Sequence, residues 1–182
     1  MAGPRPENDV VIRGRTPADD DAIRRLNDQA FGGTYESKLI EALRTASLAE
    51  IELVAAEPAT IEPPAIVGHI LFSTLSVTSG ARQSRALALA PMAVEARRQR
   101  RGIGSRLVRA GLERARTSGW QAVIVLGHTA YYPRFGFSSV LTRALKAPFS
   151  GDSFMALALE PGALDGNIGH VVYPPAFGID PG

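Results

Sequence analysis

The 182-residue sequence contains no cysteine. This absence excludes disulfide bonds, metal sites built on thiolates and covalent catalysis by a cysteine. The sequence also has no apolar run near the ~18 residues that a membrane-spanning helix needs, and its first residues, MAGPRP, lack the apolar core of a signal peptide. We therefore expect a cytoplasmic protein without a membrane partner, long enough to form one domain around its own core.

Positive charge is concentrated in one short segment. Residues 97–116 contain eight arginines and a single glutamate, a net charge of +7, whereas the whole chain carries +2 and the remainder therefore −5. A basic segment on an acidic body predicts an anionic ligand bound at one place. No aromatic residues alternate with these arginines to stack on bases, so we expect no nucleic-acid partner, and a nucleic-acid-binding module is a minor alternative.

A glycine-containing loop lies inside this basic segment. It reads Gln-x-x-Gly-x-Gly from Gln99 to Gly104 and precedes a long amphipathic pattern. Glycines at a helix N-terminus let phosphates approach backbone N–H groups that have no intrahelical partner. No Lys follows, which excludes a Walker A loop, and Leu107 stands where a dinucleotide fingerprint needs a small residue. The loop therefore predicts a diphosphate site formed by Gly102, Gly104 and the amides of Arg101, Ile103 and Ser105.

Apolar periodicity predicts a mixed α/β order of elements. Helices are expected from Pro17 to the glycines at 32 and 33, over 35–45 and over 102–118. Strands are expected at 10–13, 50–56, 66–75, 85–94, 122–126, 154–160 and 170–173. Pro91 has no N–H to donate, so pairing should falter within the fourth strand. We expect a flexible segment at 1–9, one domain over 10–160, and a Pro/Gly-rich extension over 161–182 packed on that domain.

A second motif, Tyr131-Tyr132-Pro133-Arg134-Phe135-Gly136-Phe137, follows the fifth predicted strand. With the glycine loop, it resembles the coenzyme A loop and tyrosine box of the GNAT superfamily of N-acetyltransferases. The runs 68–73, 130–132, 164–166 and 173–177 resemble the bacterial YhbS-like subgroup. The resemblance implies a GNAT fold: a mixed, mostly antiparallel sheet of six to seven strands, splayed between the fourth and fifth, with about four flanking helices.

The resemblance also implies an activity, a cofactor and residue roles. The activity is direct transfer of an acetyl group from acetyl-CoA to a primary amine in a ternary complex, without a metal. Tyr132 aligns with the family's general acid, and Tyr131 is expected to pack beside it. A phenol suits this role because its usual pKa near 10 keeps it protonated at pH 7. The expected cofactor-binding residues are Met92, Ala93, Val94, Gln99, Arg100, Arg101, Gly102, Ile103, Gly104 and Ser105.

The general base is left open between Glu95, His128 and Glu36, and so is the need for one, because a desolvating pocket is the alternative way to obtain a neutral amine. His69 is interpreted as a structural histidine because it lies inside an apolar strand. The family's Asn after the fifth strand has no counterpart in Gly127-His128-Thr129-Ala130. The acceptor is expected to be a small-molecule or protein amine, but no motif specifies which one. The sequence also leaves open whether acyl groups other than acetyl are used and whether the protein forms a homodimer. A non-catalytic acetyl-CoA sensor is the alternative function.

Overall fold

The computed structural model describes residues 10–58, 64–80, 82–166 and 169–179. Within these ranges there are three α-helices: α1 (Asp20–Phe31), α2 (Tyr35–Thr45) and α3 (Ile103–Thr117). Eight strands accompany them: β1 (Val11–Gly14), β2 (Ala49–Ala56), β3 (Ile66–Ser79), β4 (Arg82–Val94), β5 (Ala122–Leu126), β6 (Leu145–Lys146), β7 (Phe154–Ala158) and β8 (Gly169–Val172). The expectation of a flexible segment at 1–9 lies outside the described residues.

The strands form one mixed, mostly antiparallel sheet. Its main path runs β1-β2-β3-β4-β5-β7, and β8 pairs with both β3 and β6. Only β4–β5 and β6–β8 are parallel among the described pairs. The predicted fold class is confirmed, with more strands and fewer α-helices than expected. The two-residue strand β6 has no periodic signature, and the segment after β5 forms only a 3-10 turn, Tyr132–Phe135, instead of a fourth helix.

The sheet opens between β4 and β5. The two strands pair only from Ala86–Ala88 to Ala122–Ile124, and β4 then continues to Val94 with no partner strand on that side among the described residues. The register between β3 and β4 shifts where β4 carries Ala90 and Pro91, as expected for a residue that cannot donate a ladder hydrogen bond. The predicted splay is therefore confirmed, and it leaves backbone groups of β4 facing a gap.

The two faces of the sheet carry separate hydrophobic cores. On one face α3 packs closely, and a Cβ at Gly111 would lie only 2.2 Å from the Phe72 ring, so this helix position requires glycine. On the other face α1 and α2 cover the sheet. Leu164 and Phe177 of the C-terminal segment are buried in this second core. No helix in the described ranges combines the length and apolarity needed to cross a membrane.

Candidate active site

A groove of about 970 Å³ lies where β4 and β5 separate. It is bounded by the α1–α2 connection, the end of β4, the N-terminus of α3 and the segment after β5. Of the residues predicted from sequence, it brings together Glu36, Met92, Val94, Gln99, Arg100, Gly102, Ile103, Gly104, Ser105, His128 and Tyr132. Ala93, Glu95 and Arg101 are not part of its lining.

The exposed edge of β4 offers backbone groups to the groove. The Glu95 N–H donates to the Val67 carbonyl at 2.9 Å, so Glu95 is in a hydrogen-bonded pair with β3. Alternation along an antiparallel ladder then directs the N–H and C=O of Val94 and Met92 away from β3 and towards the gap. The Gln99 side chain donates to the Val94 carbonyl at 3.1 Å, which ties the glycine loop to this edge.

Backbone alternation likewise explains the position of Ala93. It opposes His69 on β3, and its backbone groups face that strand rather than the groove. Its side chain is also buried. We therefore place Ala93 behind the groove wall.

The N-terminus of α3 points into the groove. Gly102 caps the helix in the left-handed conformation, with φ +81°, and Arg106 makes the first intrahelical bond, to the Gly102 carbonyl at 3.0 Å. The amides of Ile103, Gly104 and Ser105 therefore have no intrahelical acceptor and lie at the positive end of the helix dipole. Apart from its neighbours along the chain, no described residue has an atom within 4 Å of the place where a Gly102 Cβ would be, so this side is open. Such a helix end is suited to binding a phosphate group.

The absence of a side chain at Gly104 leaves room for the Tyr131 hydroxyl. A Cβ at Gly104 would lie 2.9 Å from the Tyr131 hydroxyl oxygen, and that oxygen is 3.5 Å from the Ser105 hydroxyl. The Arg134 guanidinium stacks over the Tyr131 ring at 4.7 Å. Tyr131 thus packs as expected, and it also brings a hydroxyl to the start of α3, which sequence reasoning did not predict.

Tyr132 is held firmly at the groove wall. Its ring meets those of Tyr131 and Phe137 edge-on, with centroids 5.1 and 5.7 Å away. Its N–H donates to the His128 carbonyl at 3.2 Å, and a Cβ at Gly127 would lie only 2.3 Å from the ring. Burial, together with the neighbouring Tyr131, raises the pKa of the Tyr132 phenol above its usual value. The phenol therefore stays protonated at neutral pH.

The candidate bases differ in location. Glu36, half-buried in the first turn of α2, and His128, exposed after β5, both line the groove. Glu95 is half-buried but lies outside it. The three residues therefore do not meet at one point, and only Glu36 and His128 have access to a ligand in the groove.

His69 lies within the protein interior, as expected for a structural histidine. Its Nε2 donates to Glu52 at 2.8 Å, and its Nδ1 accepts from the Asn27 side chain at 3.2 Å. Burial lowers the pKa of the His69 imidazole, although the Glu52 carboxylate opposes this effect. Burial alone would raise the pKa of the Glu52 carboxyl. The hydrogen bonds that His69 and Arg44 donate to it outweigh this effect and lower the pKa to about 2. The cluster ties α1 and α2 to the sheet.

One wall of the groove, apart from Glu36, was not assigned residue by residue from the sequence. It consists of Phe31, Tyr35, Glu36 and Leu39, from the end of α1 and the start of α2. The Tyr35 hydroxyl donates to the Phe177 carbonyl at 2.9 Å, a contact that spans 142 residues. Because Tyr35 and Phe177 are so far apart in the sequence, no local pattern predicts their contact. The placement of two helices between β1 and β2 was the available signal for this wall.

Comparison with known proteins agrees with this arrangement. The sequence model described as the acetyltransferase (GNAT) family matches residues 21–137. YhbS of Escherichia coli K12, an uncharacterized N-acetyltransferase, is 31% identical over 170 residues, which cover 92% of this chain and 98% of YhbS. YjhQ of the same organism, also an uncharacterized N-acetyltransferase, is 42% identical over 120 residues, 63% of this chain. That match spans 62% of YjhQ, less than two thirds of its length.

Two solved structures extend the comparison to three dimensions. Escherichia coli YhbS in complex with CoA superposes with a TM-score of 0.83 at 28% identity, covering 97% of this chain and 96% of that one. A GNAT family acetyltransferase from Brucella melitensis in complex with acetyl-CoA gives a TM-score of 0.73 at 32% identity, covering 94% and 99%. Both similarities extend well beyond the glycine loop and the tyrosine box.

Proposed function

The chain belongs to the acetyltransferase (GNAT) family, and from this premise we propose that it transfers the acetyl group of acetyl-CoA to a primary amine. The observation that carries the proposal is the single groove, which joins the open end of α3, the free edge of β4 and the buried phenol of Tyr132. Its volume of about 970 Å³ lies in the range of natural ligand sites. The two similar structures with CoA and acetyl-CoA support the same cofactor.

The residues of the groove fit the parts of acetyl-CoA. The amides of Ile103, Gly104 and Ser105 would bind the pyrophosphate, because they are unpaired within α3 and Gly102 leaves their approach open. Arg100, which lines the same end of the groove, adds positive charge, whereas Arg98 is ion-paired with Glu57. The backbone groups of Met92 and Val94 would hydrogen-bond to the pantetheine amides.

The chemistry divides between the β4 edge and Tyr132. When bound, acetyl-CoA supplies an activated acetyl thioester. An N–H of the β4 edge would stabilise negative charge on the carbonyl oxygen as the amine nitrogen forms its bond to carbon. Tyr132 would protonate the sulfur as the C–S bond breaks. The amine loses one proton and the thiol gains one, so Tyr132 can be reprotonated from the attacking nitrogen.

The amine must attack in its neutral form. With a pKa near 10.4, a lysine-like amine needs roughly 4–5 kcal/mol to be deprotonated at pH 7. Glu36 or His128 would accept that proton, since both line the groove, or the apolar wall would lower the pKa of the amine by desolvation. Glu95 lies outside the groove, where it has no access to an amine bound beside Tyr132.

Thermal unfolding with acetyl-CoA tests the binding half of the proposal. At one hundred times the Kd, ligand linkage stabilises the fold by about 2.7 kcal/mol, which for a domain of this size raises Tm by roughly 5–11 °C. Gly102→Asp should abolish this shift, because it places a carboxylate where the pyrophosphate would bind. Gly80→Asp is the matched control: Gly80 also has positive φ and open surroundings, but it lies in the β3–β4 turn away from the groove.

Release of CoA with a panel of primary amines tests the catalytic half. Turnover with at least one amine is expected. A thermal shift that Gly102→Asp removes, without CoA release for any amine, would instead identify a non-catalytic acetyl-CoA sensor. No shift at millimolar acetyl-CoA would overturn the proposal.

A further inference from the structure

The part of the groove away from α3 exposes apolar surface. The described residues include six large apolar side chains that are notably exposed, and three of them, Phe31, Tyr35 and Leu126, line this one groove. Their exposed fractions are 46%, 58% and 48%. Exposed apolar side chains that gather at one concave site mark a binding surface rather than the ordinary surface background.

The aromatic part of this wall is fixed in place. The Tyr35 hydroxyl is engaged by the Phe177 carbonyl at 2.9 Å, and Phe177 is itself buried against Tyr173, with ring centroids 5.0 Å apart. Since its hydroxyl is already bonded, Tyr35 offers the groove a ring surface rather than a free polar group. A wall fixed in this way recognises flat apolar groups at a low cost in entropy.

The charges along the groove are unequally distributed. Glu36 is the one carboxylate among the described lining residues, and it stands next to Tyr35 at the start of α2. The arginines of the lining are Arg100 in the loop before α3, Arg134, which is stacked on Tyr131, and Arg98, whose charge is paired with Glu57. The wall that contains Phe31, Tyr35 and Glu36 therefore has one negative charge beside apolar surface. Positive charge lies towards the end of the groove that we propose for phosphate.

From this wall we infer the class of acceptor: a small monoamine that carries its ammonium group on an aromatic or similarly flat apolar body. Glu36 binds the ammonium group before deprotonation, and Phe31, Tyr35 and Leu126 contact the apolar body. Polyamines and aminoglycosides fit poorly, because their additional positive charges would meet Arg100 and Arg134, and the described lining offers no carboxylate besides Glu36. This inference rests on the proposed function, since it assigns the acceptor to the groove that binds acetyl-CoA.

Steady-state CoA release with 2-phenylethylamine, propylamine, spermidine, kanamycin and a lysine-containing peptide tests the inference at constant ionic strength. We expect kcat/KM for 2-phenylethylamine to exceed that for each other amine by at least about 10-fold, from burial of the aromatic ring. Phe31→Ala should reduce the preference over propylamine by about 10-fold. Val140→Ala, which truncates an exposed apolar side chain outside the groove, should leave the preference unchanged.

Glu36→Gln tests the role of the carboxylate. It should raise KM for 2-phenylethylamine by about 10-fold with an unchanged Kd for CoA. Glu41→Gln is the matched control, because Glu41 lies on the same helix but faces a different cleft between α1 and α2. A fall in kcat with an altered pH profile, without a change in KM, would assign Glu36 to proton transfer and overturn its role in binding the acceptor.

The remaining outcomes separate this inference from the proposed function. A preference for spermidine, kanamycin or the peptide would overturn the acceptor class while acetyl transfer stands. Equal effects of Glu36→Gln and Glu41→Gln would also overturn it. Binding of acetyl-CoA without release for any of the five amines would count against acetyl transfer itself and therefore against both.

Discussion

Gly127→Ala tests how the Tyr132 ring is positioned. A Cβ at Gly127 would lie 2.3 Å from one ring carbon of Tyr132 and 2.8 Å from the next, whereas ordinary contact begins near 3.4 Å. The ring would therefore have to move by about 1 Å. It is 7% exposed and packed between Tyr131 and Phe137, so this movement must disturb its neighbours.

The expected cost follows from this overlap. Forcing extra volume into a well-packed region destabilises a protein by about 1–3 kcal/mol, which corresponds to a fall in Tm of roughly 2–12 °C for a domain of this size. The fold should remain stable while kcat falls strongly, because a 1 Å misplacement of a reacting group can cost about 100-fold in rate. The Kd for CoA should change less than the rate, since the amides at the α3 N-terminus belong to a different segment.

Urea unfolding of a double-mutant cycle isolates the contact. Gly127→Ala should cost about 1–3 kcal/mol in the wild-type background and be neutral to within about 0.5 kcal/mol in a Tyr132→Ala background, where the ring is gone. Gly14→Ala serves as the matched control, because its added Cβ would meet only Arg114, at an ordinary 3.6 Å. Equal costs in the two backgrounds, or a cost no larger than that of Gly14→Ala, would refute the reasoning.

Three further predictions follow from the geometry of the site and of the first helix. Tyr132→Phe should lower kcat while leaving the Kd for CoA unchanged, and the raised pKa of the wild-type phenol predicts no loss of activity from its ionisation below about pH 10; an unchanged kcat would remove it from the mechanism. Gly104→Ala should weaken CoA binding, measured by calorimetry, less in a Tyr131→Phe background than in the wild type, because the overlapping hydroxyl is absent. Equal weakening in both backgrounds would contradict this. The Arg13 guanidinium, hydrogen-bonded to Asp19, lowers the pKa of that carboxyl to about 2 from 3.8. The contribution of the ionised Asp19 to the free energy of unfolding is therefore complete above about pH 4 and is lost towards pH 2. Asp19→Asn should therefore be destabilising at pH 7 and nearly neutral near pH 2 in urea unfolding; a difference that does not depend on pH would argue against the pairing.

The helix end that we propose as the phosphate site could be predicted because it is local. A helix N-terminus needs only consecutive residues, so Gly102, Gly104 and the following pattern determine its unpaired amides wherever the helix lies. Pro91 similarly predicted the faltering register of β4, since the missing N–H is a property of the residue itself. The tyrosine box after β5 identified Tyr132 without knowledge of its surroundings.

Long-range packing decided the rest. Tyr35 meets Phe177 across 142 residues and His69 meets Asn27 across 42, and no short-range pattern encodes such pairs. The direction of each β4 backbone group depends on its register with β3, which places Met92 and Val94 at the gap and Ala93 behind it. The sequence by itself therefore determined the family, the glycine-containing start of α3 and the position of the Tyr132 phenol after β5. Only the tertiary structure decided that Phe31, Tyr35 and Leu39 form one wall of the groove, because these residues become neighbours through burial of the second core.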